Sequence, residues 1–414
     1  MFGSRLLSGR PAARRAVARN LAFDLVAAIG IGVTASLVNA LLPTIARRGG
    51  LEPLGLAALA AAPFIANLLG AFAGRCGPRT ATQLAIIRGA GATSLLVLFV
   101  VPAPATMIAV ALAFWLSLSM TGPFHLRLWG AMYGPAVVGR VVGFLGMGRA
   151  AAGALAAFTG GLIADRVGGP GAVALAGIVG IACALAYAGL RARSGERPRS
   201  FSARESIQAL RDRPVLSRVA LAQGFYGGGL IAAVPLYALV HVDRLNLTLS
   251  DVGVIGILAA TATTVAFPVW GTVADRHGAL AALRTGSLLG VVSLVGYAFA
   301  PNVAVLWAMA LALGAANASI DVGIASIISD QTTLAERSAA MAGWNTVTGA
   351  RGIAAAFLMC TLLSLGLVNV TSGLVLCGVV AAIGVVLFAR VDPARVQTAA
   401  RPLPALADIR SAAA

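Results

Sequence analysis

Five ionisable residues lie inside long apolar runs of this sequence: Asp24, Arg88, Arg149, Asp321 and Arg351. A charge in hydrocarbon is costly, so each marks a place where the chain handles charge. A guanidinium stays ionised at any working pH and offers a planar fork that fits a carboxylate or a phosphate. Arg149 and Arg351, one in each half of the chain, could clamp an anionic solute from two sides. Alternatively, each could pair with an acid or with carbonyls at a helix break and only hold the two halves in register. Arg88 is expected to form an internal ion pair with Asp24. Three arginines against two acids leave one positive charge over, which points to an anionic or zwitterionic solute. A carboxylate whose solvation changes between two states can bind a proton in one and release it in the other. Asp321, and after it Asp24, are the candidates for coupling to protons.

Neutral polar residues fall beside these charges at helical spacing. Gly314, Asn317, Asp321 and Ala325 share one face, as do Gln223, Tyr226 and Tyr237, and as do Trp344, Thr348 and Arg351 with Asn345 alongside. With Arg149 and His125 these supply the candidate solute contacts: Arg149, Arg351, Asn317, Asp321, Gln223, Tyr226, Asn345, Trp344 and His125. Ser117 and Thr121, aligned with His125, are read as bonding their own helix backbone. His125 itself reads first as a polar contact at a helix end. No nucleotide-binding loop, no Ser/His/Asp or Cys/His set and no metal-like spacing occurs, so neither an enzyme nor a cofactor is expected.

The elements that must position these residues follow from composition. Of 414 residues 59% are hydrophobic and 11% charged, with a mean hydropathy of +0.90, more apolar surface than a globular core can bury. The chain is expected to lie in lipid, as helices of roughly 20 residues rather than as the shorter alternating strands of a barrel. Apolar runs predict twelve spans, near 21–43, 53–74, 80–101, 105–129, 139–163 and 171–190, then 218–240, 250–271, 280–300, 303–327, 338–363 and 372–389. They divide the chain into a tail (1–20), a six-helix bundle (21–190), a polar linker (191–217), a second bundle (218–389) and a closing tail (390–414). The formal charge of +17 comes from arginine alone, for the sequence has no lysine. Most of these arginines flank the spans on one side, which argues against a nucleic-acid partner and places both termini in the cytoplasm of a bacterial-type cell, the chain in its inner membrane. Arg47, Arg48, Arg166 and Arg244 are the exceptions. The four cysteines are expected to stay free, three of them as small apolar residues within spans.

One polar stretch recurs. Gly271, Asp275, Arg276 and Gly278 stand between two apolar runs, and a worn copy, Gly70, Gly74, Arg75 and Gly77, lies 201 residues upstream (Gly70 against Gly271). Arg19 and Arg218 precede equivalent spans, as do Arg140 and Arg337. These residues resemble the loop motif of the major facilitator superfamily, G-x-x-x-D-R-x-G-x-[RK]. Gly74 stands where the family has its acid, and Leu280 where it has its last basic residue. The resemblance, over about residues 18–390, implies an all-α membrane fold of two pseudosymmetric six-helix bundles and transport of a small solute by alternating access, with no cofactor. It also implies that Gly271, Asp275, Arg276 and Gly278 latch against the start of the fifth span near Arg140. Gly161, Asp165, Arg166 and Gly168 fit the same pattern, but their place after the fifth span makes them a helix-end loop on the opposite side. The antiporter signature of the fifth span is incomplete, with Gly143, Gly160 and Gly161 kept and Ala152, Ala156 and Ala157 in other places. The expected function is therefore secondary transport of an organic anion or amphiphile, with protons as a candidate partner and a monomer as the expected state. The competing readings are a multidrug efflux antiporter and a non-transporting assembly or regulatory member.

Overall fold

The computed structural model describes residues 11–72, 78–133, 138–191 and 203–392, and the described chain is helical without strands. In the first half α1 (Pro11–Ala40) is followed by the short α2 (Leu42–Arg48), α3 (Pro53–Phe72), α4 (Ala81–Ser94), α5 (Pro104–Met132), α6 (Val138–Val167) and α7 (Gly169–Ala184). α4 and α7 each finish in a 3-10 turn, Leu95–Phe99 and Leu185–Gly189. A linker helix, α8 (Ala203–Arg211), leads to α9 (Pro214–Leu239), α10 (Leu249–His277), α11 (Ala279–Phe299), α12 (Val303–Gln331), α13 (Leu334–Ser364) and α14 (Val370–Ala389). Among the described residues eleven helices are long and apolar enough to cross a membrane, and α3 is a shorter apolar helix between the first two of them. The architecture is that of a multi-pass membrane protein with two bundles of six spans.

Prolines and glycines set the breaks. Pro53, Pro104 and Pro214 open their helices, where the missing N–H would have had no partner in any case. α6 and α10 both turn into the next helix through a glycine at φ +87°, Gly168 and Gly278, a conformation that side chains disfavour. These are the last glycines of two copies of the loop pattern. Exposed Leu155, Leu221, Val265 and Leu358 give the outside the apolar surface that lipid requires.

Because successive spans alternate in direction, the linker and the α10–α11 and α12–α13 junctions lie at one end, here the linker end. The α2–α3, α6–α7 and α9–α10 junctions lie at the other, the far end. The halves meet along two antiparallel pairs, α6 with α10 and α3 with α13. Glycines make this approach possible. A methyl group on Gly253 would sit 2.5 Å from the Ala157 carbonyl, and one on Gly352 would sit 2.3 Å from the Phe64 ring.

Candidate functional site

Asp24, inside α1, is fully buried, and each of its oxygens has a donor from α5. His125 Nε2 lies 2.8 Å from Oδ1, and Trp129 Nε1 donates to Oδ2. The two donors are four residues apart, one helical turn, so both reach the same carboxylate. The edge of Tyr187, from the turn after α7, packs on the His125 ring at 5.0 Å. This corrects two expectations. Asp24 pairs with His125 and Trp129 rather than with Arg88, and His125 is a partner inside the bundle rather than a wall of an open cavity. Arg88 is 9% exposed, its Nε has no hydrogen-bond partner, and it lines a small cavity together with Thr34, Phe114 and Tyr187. Trp129 and Tyr187 were missed in the sequence. The i, i+4 spacing of His125 and Trp129 could have found the first.

Arg149 and Arg351 differ. Arg149 is exposed on α6 and lies within electrostatic reach of Asp321 on α12, in the other half. Asn317, Asp321 and Ala325 are likewise exposed along α12, one turn apart. Arg351 is half-buried on α13 and donates to the Gln223 carbonyl of α9, with Gly227 leaving room for the guanidinium. This bond lies within the second half and does not link it to the first. Tyr226 does not reach a cleft: it is fully buried between Gly290, Gly384 and Phe388. The Gln223 side chain is also buried, Trp344 packs at the edge of the core, and Asn345 is exposed. Ser117 and Thr121 bond carbonyls of their own helix at 2.7 Å.

At the far end the halves are tied together. Asp165, at the end of α6, accepts from the Leu249 and Ser250 backbone N–H groups at 2.9 Å each, and from the Ser250 hydroxyl. Arg47 grips Asp243 with Nε at 3.0 Å from both oxygens and Nη2 at 2.8 Å. Arg48 donates to the Leu247 carbonyl, and Thr44 lies 3.3 Å from His241 Nδ1. At the linker end Asp275 is exposed and makes no hydrogen bond or ion pair among the described residues. The Arg140 side chain, and Gly74, Arg75 and Gly77 of the worn copy, lie outside the described residues. The far end is therefore closed, with three contacts of charged side chains across it. The described residues hold no cluster of His, Cys, Asp and Glu that could bind a metal, and Cys183, Cys360 and Cys377 are free.

Comparison with known proteins agrees with this geometry. Residues 219–412 match the model of the Major Facilitator Superfamily. A sequence search of curated proteins finds no match. Among solved structures, the nucleoside transporter NupG covers 90% of this chain and 98% of its own, at 12% identity and a TM-score of 0.71. A bacterial homolog of the human lysosomal transporter Spinster, inward-facing and occupied, covers 96% and 100%, at 12% and 0.67. The human organic anion transporter MFSD10 covers 92% and 100%, at 15% and 0.59. The second half of the chain thus matches the major facilitator superfamily, and the whole described chain shares the fold of transporters of that kind.

Proposed function

We propose that the protein is a secondary transporter that carries a small anionic or zwitterionic solute between the two bundles by alternating access. The observation that carries this reading is that Arg149 and Asp321, both exposed and on opposite halves, lie within electrostatic reach of one another. A guanidinium offers a carboxylate or phosphate a planar pair of donors, and the nearby acid can meet an ammonium or take a proton. Transporters of nucleosides and of organic anions share this fold, so the scaffold alone does not choose the solute. The exposed Arg149 and Asp321 support an anionic or zwitterionic one. Asp321, open and opposite a cation, is the first candidate for proton coupling. Asp24, enclosed by two donors, is a structural acid in this state. The arginine-rich linker end is assigned to the cytoplasm of a bacterial cell, and the contacts that close the far end support reading this as an inward-facing state.

The test is uptake or counterflow in proteoliposomes, with solutes first chosen by thermal shift, since a bound solute stabilises the folded protein by mass action. Arg149→Gln should abolish transport of the stabilising solute with the protein still folded, and Arg149→Lys should restore only part of it. Full transport by Arg149→Gln removes the anion reading.

A further inference from the structure

The stretch from Gly161 to Gly168, read in the sequence as an ordinary helix end, does more than end α6. The first four N–H groups of a helix have no partner within it. In α10 two of them are bonded by a capping box, the Thr248 N–H by the Asp251 carboxylate and the Asp251 N–H by the Thr248 hydroxyl, both at 3.1 Å. The other two, on Leu249 and Ser250, are bonded by Asp165. Half of this helix's N-terminal cap therefore comes from the opposite bundle. A carboxylate there also faces the positive end of the α10 dipole.

The duplication offers no second copy of this contact. By the spacing that relates Arg140 to Arg337, the position equivalent to Asp165 is Leu362, which has no acceptor. The helix it would face, α3, begins at Pro53, which has no N–H to give. At the linker end α10 finishes in the same pattern, Gly271, Asp275, Arg276 and Gly278, with the same φ of +87° at its last glycine. α6 and α10 run antiparallel and in contact, so the acid ending α10 lies toward the start of α6, as the acid ending α6 lies at the start of α10.

We propose that Asp165 is a second latch, the far-end counterpart of the one that the loop resemblance implies for Asp275: each acid caps the N-terminus of the other's helix, and the two caps exclude one another. Asp165 holds the far end shut in the state seen here, where Asp275 makes no hydrogen bond or ion pair among the described residues. Asp275 takes over when the linker end closes. The proposal rests on the alternating-access reading above, and it makes Asp165 the residue that sets the resting balance.

The test uses paired spin labels at positions 100 and 367, exposed at the far ends of the two halves, in a background without the native cysteines. Replacing a capping acid by alanine commonly shifts a two-state balance roughly 2- to 30-fold. Asp165→Ala should raise the ratio of far-open to far-closed molecules within that range. Asp165→Asn should do less, because its amide oxygen still accepts. Asp275→Ala should move the ratio the other way, and the double variant should return near the wild-type value. An unchanged distribution in Asp165→Ala, while solute still shifts the wild type, overturns the latch and leaves the transport reading standing. One fixed distance in every variant, with or without solute, overturns both.

Discussion

A buried carboxylate persists only if its oxygens are occupied, and Asp24 has one donor on each. Asp24→Ala should leave the His125 and Trp129 N–H groups without an acceptor, at a cost of about 1–3 kcal/mol each. The measurement is thermal unfolding in detergent, where Asp24→Asn should lose less because one acceptor remains. Arg351 should behave unlike Arg149. Its bond to the Gln223 carbonyl stays inside one half, so Arg351→Gln should lower stability by about 1–2 kcal/mol and reduce transport less than Arg149→Gln does. The same accounting explains the arginines that break the one-sided charge pattern. Arg47 and Arg48 tie the far end together, and Arg244 bonds the Ala298 carbonyl at 2.8 Å and the Tyr297 carbonyl at 2.5 Å.

Between helices, the glycines divide by what they touch. A methyl group on Gly253 would press on α6, across the contact between halves, and one on Gly229 would meet the Cys377 carbonyl at 2.4 Å, inside the second bundle. Gly253→Ala should therefore shift the population toward the far-open state, which separates these helices at that end, whereas Gly229→Ala should lower thermal stability without favouring either state. α13 supplies a pH-dependent case. Glu336 accepts from the Thr333 hydroxyl at 2.8 Å and pairs with Arg213 at 2.8 Å, which docks the end of the linker helix onto α13. The Thr333 hydroxyl and N–H, and after them Arg213, hold this carboxyl below its usual range. The contact is then intact above the ordinary glutamate value of about 4.3 and is lost as pH falls through the lowered value. A nitroxide on Ile207 should gain mobility only on that acid limb, and Glu336→Gln should remove the pH dependence. Span positions were legible in the sequence because a 20-residue apolar run has few alternatives, and Pro and Gly mark its ends. The partners of Asp24 and Asp165 were not, because they depend on how α5 and α10 are rotated against α1 and α6, which composition does not encode. Tyr226 failed for the same reason: its helical face was read correctly as shared with Gln223, but that face turns inward.

At the scale of the whole molecule the proposed orientation, with the linker end in the cytoplasm, rests on the arginine distribution. A cysteine placed at Ser200, in the linker and outside the described residues, should resist labelling from outside intact cells; strong labelling would invert the assignment of both ends. The glycine contacts between halves carry a further consequence, for rate rather than for balance. Where Gly253 meets Ala157 and Gly161 meets the Leu249 carbonyl, backbone lies on backbone with no side chain interposed. Two such surfaces can roll across one another without any rotamer having to unlock, so the activation barrier comes mainly from parting the charged contacts at an end. Interconversion should then have a shallow temperature dependence, and a bulkier residue at this seam should slow turnover by more than it changes the affinity for solute.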